Sequence, residues 1–167
     1  GCEVTYWELD EEQSWRFDPA FVRRELRPTT RLIVANFPHN PTGYLPTAAA
    51  YQELLDIAAE AGAYVFSDEM YRGLERDPET RLPSAVELYD KAVTLSGMSK
   101  TYSMPGLRVG WLATRDHELS ARLATYHDDP TLSTSAPGRT LARHGLRAPP
   151  RQRAATTPTP PPTPDHL

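Results

Sequence analysis

Cysteine, lysine and long apolar runs are all scarce in this sequence, and each scarcity narrows what the chain can be. A single cysteine, Cys2, among 167 residues cannot close an internal disulfide, so nothing ties the fold to an oxidising compartment. No stretch reaches the roughly 18 consecutive apolar residues of a membrane span, and the opening Gly-Cys-Glu-Val-Thr-Tyr-Trp is not a basic, apolar signal peptide. The expectation is a cytoplasmic protein whose N-terminus is cut, since Gly1 replaces an initiator Met. The net charge of −4 offers no general attraction to nucleic acid or to an anionic membrane, which leaves small-molecule chemistry. No Gly-x-Gly-x-x-Gly follows a strand, which disfavours a nucleotide-binding Rossmann domain, and no basic helix-turn-helix pattern supports a DNA-bound regulator.

The lysine count is the most informative scarcity. Of 18 basic residues only Lys91 and Lys100 are lysine; the other 16 are arginine. A protein that uses arginine for ordinary surface charge has a reason for each lysine, and the chemical difference is that an amine forms an imine with an aldehyde whereas a guanidinium does not.

The length and the 39% apolar content suit one domain with a real core, while 17 prolines suggest that part of the chain is not folded. Val4 to Leu9 alternates as a strand would. Asp18 caps a short helix opened by Pro19 and running to about Leu26. Leu32 to Ala35 is a short apolar run suited to a strand buried on both faces. The loop Asn36-Phe37-Pro38-His39-Asn40-Pro41-Thr42-Gly43 follows, and its prolines and glycine forbid regular structure. Thr47 caps a helix to about Ala61 whose inner face carries Tyr51, Leu54, Leu55 and Ala58, Gly62 ends it, and Tyr64 to Phe66 is the next strand. Strand, helix, strand within about 37 residues is the parallel unit of α/β architecture. Ala92 to Leu95 and Val109 to Ala113 add two strands, and Asp116 to Tyr126 a helix. The expected fold is therefore a partial, mainly parallel sheet with flanking helices.

Near Asp129 the character changes. Residues 1 to 130 carry a net charge of −8 and residues 131 to 167 a net charge of +4 with eight of the prolines. The segment 129–167 is expected to be a disordered, Pro- and Arg-rich tail, of a composition typical of GC-rich DNA read out of frame after a frameshift or truncation.

In an open parallel sheet ligands bind at the carboxyl ends of the strands. The loops leaving those ends carry Asn40, then Asp68, Glu69 and Tyr71, then Ser96, Ser99 and Lys100. The stretches Asn-Phe-Pro-His-Asn-Pro-Thr-Gly, Ser-Asp-Glu-Met-Tyr and Ser-Lys-Thr-Tyr-Ser-Met-Pro-Gly-Leu-Arg-Val-Gly-Trp resemble motifs of the class I/II aminotransferases, enzymes of fold type I dependent on pyridoxal 5′-phosphate (PLP). They stand in family order, 28 residues from Asn40 to Asp68 and 32 from Asp68 to Lys100, and the resemblance covers roughly residues 1 to 128, part of the family's large domain.

The resemblance implies specific roles. Lys100 is the Schiff-base lysine and proton shuttle. Asp68 sits against the pyridine nitrogen, and Asn40 and Tyr71 bond the cofactor's phenolic oxygen. Arg108 and Ser99 belong to the phosphate cup, where Gly97 occupies a position at which many relatives have Ser. It implies amino-group transfer between an amino acid and a 2-oxo acid in a homodimeric parent, with a PLP lyase or cyclising synthase on the same residues as the alternative. The family also uses an N-terminal phosphate-binding loop and a substrate-clamping arginine of a small domain. Neither is expected within these residues, so an inactive remnant is a further alternative.

Overall fold

The computed structural model describes residues 1–7, 10–128 and 135–147, with Phe37-Pro38 and Asn40-Pro41 as cis peptides. Helix α1 spans Pro19–Glu25, where the Asp18 carboxylate accepts the Ala20 N–H at 3.0 Å and Pro19 takes the first turn, whose N–H groups lack helical partners anyway. Strand β1 is Leu32–Asn36 and helix α2 Ala48–Ala61. The Thr47 hydroxyl caps α2, and Gly62 ends it at a φ of 66°, a left-handed conformation that glycine adopts without cost. Strands β2, Tyr64–Asp68, and β3, Ala92–Gly97, flank the short helix α3, Ala85–Leu88, and strand β4 is Gly110–Thr114. Helices α4, His117–Asp128, and α5, Ala136–Arg147, follow.

The four strands lie in the order β1-β2-β3-β4, with the first two pairings parallel and the last antiparallel. The expected α/β sheet is thus present. One face presents Ile33, Ala35, Val65, Ser67, Ala92 and Thr94, all buried. Helix α2 covers it with Tyr51, Leu54, Leu55, Ile57 and Ala58, at the helical spacing that a single apolar stripe requires. The Tyr51 hydroxyl meets Ser67 Oγ at 3.2 Å under the sheet, and burial pushes the phenol up to about 12. Trp7, Phe17, Phe37 and Tyr51 form a chain of tilted and edge-on rings 5.1 to 6.3 Å apart that extends this core toward the N-terminus.

Three expectations are corrected. Strand β1 is buried on one face only: Leu32 and Val34 are 52% and 57% exposed, because the helices that pack on β1 and β2 lie on the other side. Val4 to Trp7 is not a strand. It has no ladder partner, Val4 and Tyr6 are exposed, and Trp7 is held by its ring contact with Phe17; Glu8 and Leu9 lie outside the described residues. The segment 129–167 is not wholly without structure either. Helix α5 forms inside it, with Pro137 in the first turn, where proline is tolerated, and with Gly138 and Ala142 buried. A Cβ on Gly138 would stand 3.1 Å from Leu107 O and one on Gly145 2.9 Å from Met98 Cε, so the two glycines let α5 lie close against the β3–β4 connection. Residues 129–134 and 148–167 lie outside the described residues.

Candidate active site

Register decides which loops share an edge. Asn36 pairs with Asp68, Asp68 with Leu95, and Gly97 with Gly110, so the exits of β1, β2 and β3 and the entry to β4 all lie at one edge of the sheet. Antiparallel β4 brings the whole connection from Met98 to Val109 to that edge, and with it Ser99, Lys100 and Arg108.

Lys100 is exposed and its Nζ lies over the Tyr71 ring, 5.4 Å from the centroid. Tyr71 is half-buried in the turn after β2. Asp68 ends β2; its Oδ1 accepts the Met70 N–H at 3.1 Å, the ordinary work of an aspartate in a turn, while Oδ2 has no partner among the described residues. Asn40 is exposed, and its backbone N–H donates to Asn36 Oδ1 at 2.8 Å, while the Asn36 amide donates to Asp68 O at 3.1 Å. Asn36 is thus the bridge between the Asn40 loop and the end of β2. The side chains of Asn40, Tyr71, Ser99 and Lys100 have no hydrogen-bond partner among the described residues. Arg108 is exposed, has a positive φ of 50°, and donates one guanidinium N–H to Pro105 O at 3.3 Å, with no contact to Lys100 or Ser99. The structure therefore brings Lys100 to Tyr71, links the Asn40 and Asp68 backbones through Asn36, and leaves Arg108 on the same edge but apart.

Gly97 has a packing reason. A Cβ there would lie 3.1 Å from Val109 O, 3.2 Å from Gly110 Cα and 3.3 Å from Met70 Sδ, so a serine at this position would need these neighbours to give by a few tenths of an ångström. His39 lines a cleft of about 510 Å³ with Trp7, Trp15, Pro41 and Thr42, its Nδ1 2.8 Å from Thr42 Oγ1.

Two residues to which the sequence assigned no role at the site support it. Glu69 is buried; its Oε1 accepts from Ala85 N–H at 2.8 Å, Ser84 Oγ at 3.0 Å and Thr94 Oγ1 at 3.2 Å, which ties the exit of β2 to α3 and β3. Thr101, also buried, reaches Arg72 O at 2.8 Å and Met70 O at 3.2 Å. Both act through contacts across the fold, for which sequence spacing carries no signal. Among the described residues no group of three or more His, Cys, Asp or Glu is arranged to hold a metal, and no helix is long and apolar enough to cross a membrane.

The fold with its lysine-bearing strand connection is that of the PLP-dependent transferases of fold type I. A structure of a PLP-dependent aminotransferase from Streptococcus suis superposes with a TM-score of 0.81 at 37% identity, over 88% of this chain and 38% of that one. The aspartate aminotransferase of Thermus thermophilus, solved with maleate, gives 0.77 at 26% identity, over 87% of this chain and 37% of that one. The family model for aminotransferase class I and II matches residues 1–157, and the chain belongs to that family, whose cofactor is PLP. The match runs further than the roughly 1 to 128 that the three motifs cover. Among curated relatives, the capreomycidine synthase of Streptomyces vinaceus is 34% identical over 135 residues, 81% of this chain and 34% of the relative. The aspartate aminotransferase of Thermococcus kodakarensis is 37% identical over 114 residues, 68% of this chain and 30% of the relative. The chain spans about a third of the length of the curated relatives it matches.

Proposed function

We propose that this chain is the cofactor-anchoring part of an aminotransferase that moves an amino group between an amino acid and a 2-oxo acid, with Lys100 as the covalent anchor. The observation that carries the reading is the set of unpaired groups at one sheet edge: an exposed amine over a phenol ring, a carboxylate oxygen, an amide and a hydroxyl. Such groups suit a polar aromatic ligand with a ring nitrogen, a phenolic oxygen and an aldehyde. When bound, PLP supplies that aldehyde and a ring that accepts the electron pair released at the substrate's Cα. Lys100 Nζ would hold the cofactor, and as a free amine it would carry the proton to and from the substrate's Cα. Asp68 Oδ2 would hold a ring nitrogen, and the Tyr71 hydroxyl and Asn40 amide would donate to the phenolic oxygen. Ser99 and Arg108 serve the phosphate, with Arg108 turning inward from its present contact with Pro105.

The presence of just two lysines makes the test sharp. The protein is mixed with PLP, reduced with borohydride and mapped by peptide mass spectrometry. The label is expected on Lys100 and on neither Lys91 nor the N-terminus, and to vanish in Lys100→Ala; equal labelling of Lys91, or none, overturns the proposal. A second reading has its own observation: the capreomycidine synthase matches a longer stretch than the aspartate aminotransferase, 135 against 114 residues. A synthase would use the same Lys100, Asp68 and Tyr71 and differ in which bond at Cα is broken. It predicts labelling of Lys100 without amino transfer to a 2-oxo acid.

A further inference from the structure

We infer that Thr101 is the positioning residue that sets Lys100 against Tyr71. Its hydroxyl lies 3.2 Å from Met70 O and 2.8 Å from Arg72 O, the two carbonyls that flank Tyr71 in sequence. A hydroxyl has one proton, so the two acceptors share it, and the turn is held on both sides of the phenol by one atom of the residue next to Lys100. The other branch of the side chain is fixed too. Gly73 has a φ of 98°, and a Cβ there would stand 2.8 Å from Thr101 Cγ2, so the methyl fills the space that a side chain at 73 would need. Threonine is thus gripped at hydroxyl and methyl, with 6% of its surface exposed. The Lys100 carbonyl accepts the Ser103 N–H at 2.9 Å, which closes the turn on the other side. What remains free is the lysine side chain, delivered over the ring at 5.4 Å.

The bland alternative is a buried threonine that satisfies whatever carbonyls are near. The placement argues otherwise: both acceptors belong to the turn that presents Tyr71, and the donor is covalently adjacent to Lys100. The inference rests on the reading of Lys100 as cofactor anchor for its functional meaning, but its geometry is testable without cofactor. A tyrosine ring shifts protons above its face upfield in NMR, and lysine labelled with carbon-13 at Cε gives two signals here. Lys91, whose Nζ lies 5.8 Å from the Tyr64 ring centroid, is an internal control.

In the wild type and in Thr101→Ser, which keeps the hydroxyl, the Lys100 ε protons are expected upfield. In Thr101→Val, which keeps the shape and removes the hydroxyl, they are expected to move to the value of a solvated lysine while Lys91 stays in place. Thr101→Ala serves as the second hydroxyl deletion should valine crowd the site. With PLP and borohydride, Lys100 labelling in the valine variant is expected to fall about tenfold, and the pH midpoint of the visible band to rise by about one unit as the phenol leaves the phenolic oxygen. An upfield Lys100 signal that persists in folded Thr101→Val or Thr101→Ala overturns the inference. A signal that shifts as expected in a protein that takes no label upholds the strap and removes the cofactor reading instead.

Discussion

Replacing Glu69 with leucine removes the one carboxylate that the sheet edge buries against three donors, and the cost can be worked from the geometry. Oε1 accepts from the Ala85 amide and the Ser84 and Thr94 hydroxyls, while Arg72 Nε lies 3.8 Å from Oε2. Three bonds to a charged acceptor at about 1.5–3 kcal/mol each would suggest a loss of about 4.5–9 kcal/mol. The structure lowers that figure, because Ser84 Oγ and Thr94 Oγ1 are 3.1 Å apart and can bond each other once the carboxylate is gone. Two buried donors are then orphaned, one hydroxyl and the Ala85 N–H. They cost ~1–3 kcal/mol apiece, partly offset by the desolvation that the neutral side chain no longer suffers. Arg72 is about one third exposed, so water takes over most of its lost partner. Glu69→Leu should therefore cost about 3 kcal/mol and Glu69→Gln, which keeps one acceptor oxygen, about 1 kcal/mol. Urea unfolding followed by tryptophan fluorescence measures both as shifts in midpoint at unchanged slope. Adding Ser84→Ala to the leucine variant deletes the Ser84–Thr94 bond that softens the loss, so it should cost about 1 kcal/mol more. A leucine variant within about 0.5 kcal/mol of wild type would refute the account and make Glu69 a tolerated burial rather than a clamp.

Helix α5 offers a paired comparison. At Gly138 an added Cβ meets a backbone oxygen at 3.1 Å and at Gly145 the terminal methyl of the buried Met98 at 2.9 Å; a side-chain end gives way more readily than backbone, so thermal melts should show Gly138→Ala the more destabilised of the two, with alanine's helix propensity of ~1 kcal/mol offsetting part of the cost in each. Leu54 is fully buried between α2 and the sheet, and Leu54→Ala should cost ~2–5 kcal/mol in the same urea assay. Asp116 takes the Leu119 N–H at 2.8 Å and the Tyr64 hydroxyl at 2.5 Å, which hold its carboxyl below the usual carboxylate value. A carboxyl depressed in the folded state stabilises above its unfolded value and loses that contribution as pH falls through the folded one. The melting-temperature gap between wild type and Asp116→Ala should thus be full near pH 7 and close below about pH 4.

How much was legible follows from where each signal lives. Helix α2 could be read because Thr47, the stripe from Tyr51 to Ala58 and Gly62 all lie along one short segment. The strand at Leu32 could be read as a strand but not as one-sided, since four apolar residues in a row look the same whether one face is covered or two. Helix α5 was hidden by composition: Pro137 and the arginines of its outer face read as disorder, whereas the inward Gly138, Ala142 and Gly145 are too small to show as an apolar stripe. Asn40, Asp68, Tyr71 and Lys100 stood out because each lies just after a strand. The roles of Asn36, Glu69 and Thr101 did not, because the partners that tie them to neighbouring elements lie 15 to 32 residues away in sequence and only the strand register brings them together.

The two lysines now distinguish the arguments that single out Lys100. Rarity alone favours both equally, and so does aromatic contact, since Lys91 lies over Tyr64 much as Lys100 lies over Tyr71. Lys91, however, donates to Gly62 O at 3.0 Å, so its ammonium is engaged with the carbonyl of the residue that closes α2. Lys100 has no such acceptor among the described residues, although the carbonyls of Met70 and Arg72 lie on either side of the tyrosine beneath it. Both accept from the Thr101 hydroxyl instead. The strap that brings the amine to the phenol leaves it exposed at the sheet edge, whereas Lys91 is tied to the end of α2, so Lys100 is the amine placed to meet an aldehyde bound at that edge.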